Sequence, residues 1–292
     1  MWIKFPSLFV FTGMRRIFTL ALIAAGQQIW AAGQGPPLTA AEIMKKVAEN
    51  QDKAQKDRAT FLYEENIRVD TRRTNGKLAR EERATLLVTP TAKGVDKKRQ
   101  SVKGRYWYKG RYLDFTGEPI PNADSLDGAL VSSFRDDLTN DTTKDGLGKD
   151  LFPLTSGEQK DLRFELTGEQ TVSGRKAWRI RFGPADTHEI TWAGEALIDE
   201  EEFQPVSVYT RLSRRIPFFV RTVLGTDVPG LGFSVQYARI DKDIWFPVSF
   251  GSEFRLRAVF FINRDITVSL ENKNFKHATV ESAIHYEETP SH

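Results

Sequence analysis

The sequence of 292 residues contains no cysteine. This absence excludes disulfide bonds, thiolate metal sites and thiol nucleophiles, and it also excludes an acylated N-terminal cysteine as a membrane anchor. If such a chain folds outside the cytoplasm, its apolar core has to stabilise it. A chain of this length buries enough surface on folding to do so without cross-links.

Long apolar runs are also absent, apart from one short run near the N-terminus. Residues 17–25 (IFTLALIAA) belong to an apolar stretch of about ten residues, whereas a membrane-spanning helix needs about twenty. Basic residues precede this run, and the small residues Ala31-Ala32-Gly33 follow it. This order is typical of a secretory signal peptide, which we predict over residues 1–33. Met14 is an alternative start, and an uncleaved amphipathic anchor is the alternative interpretation.

Neither sign of charge dominates the chain. The formal net charge is +3, and residues 1–33 contribute three basic groups, Lys4, Arg15 and Arg16, and no acidic group. The remaining chain is therefore close to neutral, so it lacks the basic footprint of a nucleic-acid-binding protein. Residues 34–292 contain no second long apolar run, and we expect the mature product not to span a membrane. A periplasmic location is expected, with secretion as the alternative.

Sequence patterns that carry known chemistry are scarce. The histidines His188, His277, His285 and His292 form no His-x-x-x-His pair, and neither a Gly-x-Ser-x-Gly elbow nor a phosphate-binding glycine loop occurs. Residues 141–152 begin like a calcium loop but place Phe152 where a bidentate glutamate is needed. We therefore predict no catalytic residues, no metal site and no cofactor.

The acidic run Asp199-Glu200-Glu201-Glu202 is the remaining candidate for catalysis. It lies between two predicted strands, so a solvated hairpin turn explains it. The alternative is a pair of carboxylates that act as acid and base in a glycan hydrolase.

A helix is predicted directly after a short flexible lead. Thr39 is a capping residue, and Glu42 three residues later completes a capping box. Residues 40–57 are rich in good helix formers, and Ile43 and Val47 lie four residues apart on one face. This narrow apolar stripe predicts a helix with one covered side.

Alternation of apolar and polar residues, typical of half-buried strands, fills most of the remaining chain. It begins at residues 61–70, and Asn75-Gly76 is a tight-turn signal before a hairpin partner at residues 77–88. Ser173-Gly174 likewise separates two strands that we expect to pair, 162–166 and 178–182. Further strands are predicted at residues 99–108, 111–115, 190–198, 206–212, 233–240, 245–256, 259–262 and 266–270. Short strands joined by turns predict one antiparallel meander or open barrel.

An insertion at residues 119–157 interrupts this pattern. It is rich in Asp, Asn, Ser, Thr and Gly, with a helix predicted at residues 124–137. Insertions of this length are often lids or binding loops, and a mobile surface segment without a role is the equal alternative. We find no internal repeat and no linker, so residues 34–292 are predicted to form a single domain.

Rows of aromatic and aliphatic side chains on the predicted strands are the candidate ligand-binding residues. They are Phe61, Tyr63, Ile67, Val69, Trp178, Ile180, Phe182, Phe246, Val248, Phe250, Phe254 and Leu256. In a closed sandwich these side chains would be core. On the concave side of a curved sheet they would line an apolar cavity that suits acyl chains. The basic-flanked apolar segment 214–221 is either a surface that touches a membrane or a partner, or a buried crossing between strands.

Several short stretches resemble the outer-membrane lipoprotein-sorting family, that is, the periplasmic lipoprotein carriers and their relatives. The similar stretches are the capped helix followed by the long strand from Phe61, residues 192–199 (WAGEALID) with Gln204-Pro205-Val206, residues 243–247 (DIWFP), Asn274-Phe275, and residues 280–286. The resemblance implies an incomplete antiparallel β-barrel lidded by helices around an apolar cavity that shields lipid chains. Thr89-Pro90-Thr91-Ala92-Lys93 stands where the carriers have Arg-Pro and an aromatic strand, so no cavity arginine is carried over.

We therefore predict a mainly β (α+β) fold, in which a single curved antiparallel sheet forms an incomplete barrel covered by an N-terminal helix and a short helical insertion. The predicted function is that of a non-enzymatic periplasmic binding or carrier protein for a hydrophobic ligand, such as a lipid or a lipoprotein acyl chain. An envelope protein is a further candidate partner. An envelope interaction or stress-sensing module of the same fold is the alternative, and a polysaccharide-acting enzyme is the third.

Overall fold

The computed structural model describes residues 37–91, 94–139, 152–186, 192–213, 226–227, 231–242, 244–258 and 262–278. The predicted signal peptide, most of the calcium-like segment, the 214–221 segment and the predicted last strand at residues 280–286 lie outside these ranges. The chain divides into the units Met1–Pro37 and Leu38–His292, and the fold described below belongs to the second unit.

Two helices accompany the sheet. Helix α1 spans Ala40–Arg58, and its N-terminus has the predicted capping box: the Glu42 amide donates to the Thr39 side chain, and the Thr39 amide donates to the Glu42 carboxylate. Helix α2 spans Leu126–Thr139, two residues later than predicted at each end. No helix in the described part of the chain is long and apolar enough to cross a membrane.

Most strands follow the predicted alternation and are longer than predicted. The predicted strand at residues 259–262 lies almost entirely outside the described residues, and the two-residue strand Thr226–Asp227 was not predicted. The strands are β1 Phe61–Arg73, β2 Leu78–Thr91, β3 Gly94–Tyr108, β4 Arg111–Thr116, β5 Leu162–Val172, β6 Arg175–Pro184, β7 Trp192–Asp199, β8 Pro205–Leu212, β9 Thr226–Asp227, β10 Gly232–Asp241, β11 Ile244–Ala258 and β12 Ile262–His277. The pairs expected across Asn75-Gly76 and Ser173-Gly174 are confirmed. Both turns use positive φ angles, which are 75° at Gly76 and 82° at Gly174.

The strands form one antiparallel sheet in the order β4-β3-β2-β1-β12-β11-β10-β8-β7-β6-β5, with β9 paired to β11 beside this path. The first and last strands are thus neighbours in the middle, in a register that runs from Phe61↔His277 to Arg73↔Arg264. Within the described ranges no pairing joins β4 to β5, so the sheet is open. The predicted mainly β fold, a single sheet that forms an incomplete barrel, is confirmed.

Both helices lie on one face of the sheet, here called the inner face. Helix α1 contacts β5 and β11, and helix α2 contacts β1 and β2. The apolar residues between the helices and the strands form a large first cluster, whose buried members include Ile43, Met44, Val47, Ile67, Val69, Leu86, Val131, Phe152, Leu154, Ile180, Phe182, Ile198, Phe250, Phe254, Ile266 and Leu270. A smaller second cluster contains Phe61, Tyr63, Val88 and Phe246. Most apolar burial of the fold is therefore in the layer between the sheet and the two helices.

Candidate ligand-binding face

The first cluster collects most of the predicted ligand-binding residues on the inner face. Its fully buried members among them are Ile67, Val69, Ile180, Phe182, Phe250 and Phe254, while Trp178 and Leu256 are half-buried and pack against it. The structure brings these side chains together from β1, β6 and β11, which are far apart in the sequence. They therefore share one continuous apolar surface.

Phe61, Tyr63 and Phe246 lie apart from that surface, in the second cluster. The Phe246 ring packs 4.6 Å from that of Phe275 and 5.1 Å from that of Tyr63, measured between centroids. Val248 is half-buried and belongs to neither cluster. The expectation that residues 246 to 256 form one row at alternate positions is therefore wrong.

A β-bulge in β11 is the physical cause of this difference. The pairing of β10 with β11 shifts between Gln236↔Ser249 and Tyr237↔Pro247, which leaves Val248 as the extra residue. An extra residue reverses the alternation of side chains beyond it. Trp245 consequently joins the first cluster in place of its neighbour Phe246. Pro247, directly before Val248, is the sequence signal that could have indicated this bulge, because proline within a sheet is confined to edge strands, strand starts and bulges.

Helix α1 is fastened to the inner face by a broad apolar stripe and a buried polar chain. Ile43, Met44 and Val47 have no exposed surface. One turn further on, Gln51 donates to Gln204 at 2.6 Å and accepts from Arg58. This combination makes α1 a fixed part of the core.

Helix α2 is fastened differently. Its apolar contribution to the first cluster is Val131, which is buried, and Phe134, whose ring lies 5.6 Å from that of Phe254. Charged pairs hold its two ends: Arg264 of β12 donates to Asp127 at 2.6 and 3.0 Å, and Arg135 donates to Glu82 of β2. Helix α2 thus covers apolar strand residues but is held largely by ion pairs.

The arginines of these pairs stay charged. Hydrogen bonding to Asp127 raises the pKa of Arg264 above its ordinary value, against the opposing effect of burial. Burial lowers the pKa of Arg135, but the hydrogen bonds and charges of Glu82 and Asp136 more than offset this, so its pKa is also raised. Both guanidiniums therefore stay charged across the physiological pH range.

Buried charges on the inner face were not foreseen from the sequence. Glu65 lies on β1 between Tyr63 of the second cluster and Ile67 of the first, and its carboxylate oxygens lie 3.1 and 3.2 Å from Nζ of Lys97. Both side chains are essentially inaccessible to solvent. Arg80 and Glu82 occupy equivalent inward positions on β2 and are also buried. Their signal in the sequence is a charged residue at a position where the alternation predicts an apolar one.

The acidic run at residues 199–202 is more than the solvated turn predicted for it. The Asp199 carboxylate is buried and accepts from Nε and Nη2 of Arg175 at 2.5 and 2.8 Å. Glu202 accepts a hydrogen bond from the Trp245 indole at 2.7 Å. Two of the four acids therefore fasten the β7–β8 turn to β6 and β11. Across the described ranges, no group of three or more histidine and acidic side chains could hold a metal ion.

Comparison with known proteins finds similarity at the level of structure. No family model matches the sequence, and no curated protein does. A solved structure of a DUF1329 family protein from Desulfovibrio piger ATCC 29098 is 11% identical, covering 86% of this chain and 98% of that chain with a TM-score of 0.39. A domain named for outer membrane lipoprotein sorting from Vibrio parahaemolyticus is 11% identical, covering 81% and 94% with a TM-score of 0.34.

A third similar structure is a LolA superfamily protein from Nitrosomonas europaea, 10% identical, covering 85% of this chain and 97% of that chain with a TM-score of 0.29. Two of these three structures carry the name of the family that the sequence resembles. At these identities and TM-scores the likeness says nothing about ligand or partner.

Proposed function

We propose that this chain is an exported periplasmic carrier, without enzymatic activity, that binds a hydrophobic ligand on the inner face beneath helix α2. The ligand class is an acyl chain of a lipid or lipoprotein. The observation that carries the proposal is the mismatch at α2: buried apolar residues such as Val69 and Phe254 belong to the cluster that the helix covers, whereas the helix itself is held at both ends by ion pairs.

The energetics favour exchange of α2 for an acyl chain rather than exchange of α1. Displacing α2 exposes Val69, Phe254 and the other apolar residues below it, and an acyl chain laid over them restores their burial. Apolar burial stabilises by about 25 cal/mol per Å², or about 0.8 kcal/mol for each methylene. The charged groups at the ends of α2 regain hydration when the helix leaves, which offsets part of the loss of their ion pairs.

Native mass spectrometry of the mature protein, purified from its own cell envelope and then extracted with organic solvent, tests the proposal directly. We expect a stoichiometric lipid or acyl adduct whose mass identifies the ligand. A clean apo mass, together with no uptake of fatty acid or phospholipid added afterwards, would contradict it.

A matched pair of variants locates the ligand. Phe254→Gln places a polar group directly below Phe134 of α2 and should reduce the amount of lipid retained per folded molecule. Phe246→Gln makes the same change in the second cluster and should leave retention per folded molecule unchanged. Equal retention in both variants, with folding verified by circular dichroism, would place the ligand elsewhere.

One observation favours the second candidate function, an envelope interaction or stress-sensing module. Every buried member of the first cluster is already covered, with Ile180, Ile198 and Ile266 wholly inaccessible. A face filled by its own helices needs no ligand, and partners would then bind outside it. Lack of lipid in the mass spectrum, combined with capture of a defined envelope protein by the folded chain, would support this function.

A further inference from the structure

Arg80 is a buried arginine at the edge of the inner face. It lies on β2 between Thr71 of β1 and Tyr106 of β3 in the sheet register. Its side chain is 1% exposed, which makes it the largest fully buried side chain among the described residues. Burial of a guanidinium is costly unless its donors are satisfied.

The donors of Arg80 are satisfied only in part. Nη1 donates to the carbonyl oxygen of Pro121 at 3.0 Å, and Nη2 lies 3.5 Å from the nearer carboxylate oxygen of Glu82. Nε and Nη2 make no hydrogen bond with any of the described residues. Glu82 also accepts from Arg135, so one carboxylate is shared between two guanidiniums.

Nε and Nη2 together form the side of a guanidinium that binds a planar or tetrahedral oxyanion through two parallel hydrogen bonds. In Arg80 this side is held in a fixed plane. The rings of Phe115 and Tyr106 lie 5.1 and 5.6 Å from the guanidinium carbon. Gly104 permits this arrangement, because a Cβ there would lie 2.5 Å from two ring carbons of Phe115.

Apolar surface begins directly beside this group. Glu82 faces Val69 across the β1–β2 pairing, and Arg135 lies one helical turn after Val131 on α2. Both valines are buried in the first cluster. A molecule with an anionic head and an apolar tail would therefore find both of its halves matched beneath α2.

We propose that Arg80 binds a carboxylate or phosphate group through its Nε–Nη2 side, and that this group is the head of the hydrophobic ligand. The inference rests on the proposed function and narrows its ligand class to anionic amphiphiles. The head group competes with Glu82 for Nη2, because the nearer carboxylate oxygen of Glu82 lies 3.5 Å from that nitrogen, whereas the Pro121 carbonyl oxygen accepts from Nη1 and is not displaced.

The test compares oleate with oleyl alcohol, which share an apolar chain and differ in the carboxylate, and uses inorganic phosphate as a free anion. Binding is measured by titration calorimetry and native mass spectrometry on the mature chain. We expect oleate to bind at least about tenfold more tightly than oleyl alcohol, the range of a charge-assisted hydrogen-bonded pair. Arg80→Met should abolish this preference and leave oleyl alcohol binding unchanged.

Arg111→Met is the matched control. Arg111 lies on β4, two strands away from β2, is exposed, and forms no ion pair with any described residue. Its replacement by methionine removes the same charge as Arg80→Met. It should keep the wild-type preference for oleate. Arg80→Lys keeps the charge without the two-bond geometry and should lose most of the preference, which also covers the case in which Arg80→Met does not fold.

The possible results test the anion site at Arg80 and the carrier function separately. Equal binding of oleate and oleyl alcohol by the wild type, or an undiminished preference in both Arg80 variants, overturns the anion site and leaves the carrier function standing. Binding of neither amphiphile, with a phosphate-induced rise in melting temperature that Arg80→Lys removes, identifies free phosphate as the ligand and overturns the carrier function. No response to any of the three probes overturns both.

Discussion

Asp127 of helix α2 accepts two hydrogen bonds from Arg264 of β12, at 2.6 and 3.0 Å, although the two residues lie 137 positions apart in the chain. Thr71 of β1 donates to the same carboxylate at 3.1 Å. The first turn of α2 is thereby tied to the two central strands of the sheet. The negative charge of Asp127, in the first turn of α2, also interacts favourably with the positive end of the helix dipole.

Removal of this tie should loosen α2 selectively. Asp127→Asn leaves Arg264 half-buried without its carboxylate, and we expect a loss of about 1–3 kcal/mol in the free energy of unfolding. Hydrogen exchange at the amides of α2 should accelerate more than that of α1. The exposed pair Arg255–Asp265 is the control, since Asp265→Asn should cost less than about 1 kcal/mol. Uniform acceleration across both helices would contradict a local tie.

Breaking the ion pair between Glu65 and Lys97 should lower the free energy of unfolding strongly, whereas replacing both residues by apolar ones should lower it much less. Glu65→Gln or Lys97→Met alone leaves a buried charge and should cost about 3–5 kcal/mol in urea unfolding. The double variant Glu65→Met/Lys97→Met should recover most of that loss, because apolar residues of similar volume avoid the desolvation of both ions. Additive losses in the double-mutant cycle would show that the two groups are not coupled.

Asp70 should make stability depend on pH in an unusual direction. Burial raises the pKa of Asp70 above its ordinary value, and the hydrogen bonds and charge of Arg68 only partly oppose this. A raised carboxyl pKa means that the folded chain binds the proton more readily than the unfolded chain. Its contribution to stability is full below the unfolded pKa of 3.8 and is lost as pH rises through the folded pKa.

The wild type should therefore gain stability relative to Asp70→Asn as pH falls through this window. Asp114 provides the opposite control, because its hydrogen bond from Arg105 lowers the pKa of that carboxyl. Relative to Asp114→Asn, the wild type should lose stability as pH falls. Urea unfolding of the three proteins between neutral pH and about pH 3.5 measures both slopes. If the stability difference between wild type and variant changed with pH in the same direction for Asp70 and Asp114, the opposite pKa shifts assigned to these two carboxyls would be wrong.

Gly194 should tolerate no side chain. A Cβ on this residue would overlap the carbonyl oxygen of Tyr209 and lie 3.0 Å from the ring of Phe182. The obstacle is backbone of the neighbouring strand β8, which cannot move without breaking sheet pairing. Gly194→Ala should therefore cost about 1–3 kcal/mol. Gly183→Ala on β6 meets only the Ala193 methyl group, at 3.5 Å, and its melting temperature should remain near that of the wild type.

Short-range signals in the sequence predicted much of the fold. Thr39 and Glu42 predicted the start of α1 correctly, because a capping box depends on residues three positions apart. Asn75-Gly76 and Ser173-Gly174 identified two hairpins, since their backbone conformations suit few other residues. The alternation that begins at Phe61 predicted β1. In each case the physical cause lies within a few residues of the signal.

Long-range features escaped prediction for the same reason. The pairing of β1 with β12 joins residues that no local pattern connects. The bulge at Val248 depends on how β10 meets β11, and it sends Trp245 and Phe246 into different clusters. Arg80 and Glu82 distinguish this inner face, but charged residues in a sequence are ordinarily expected to be exposed. Only the strand register shows that these two are buried under α2. The apolar rows on strands without a bulge could be predicted from the sequence, whereas the row on β11 and the partners of the buried charges could not.

The central position of β12 also determines the order in which the molecule can be assembled. When the chain emerges with its N-terminus first, β1 pairs with β2 and keeps its other edge uncovered until residues 262–277 have emerged. Until then β1–β4 and β5–β11 remain two separate part-sheets, each with an uncovered strand edge. Chains that lack the last strand would therefore leave both edges available for pairing with other chains, and proteolytic loss of this strand would turn the protein into an aggregation-prone fragment.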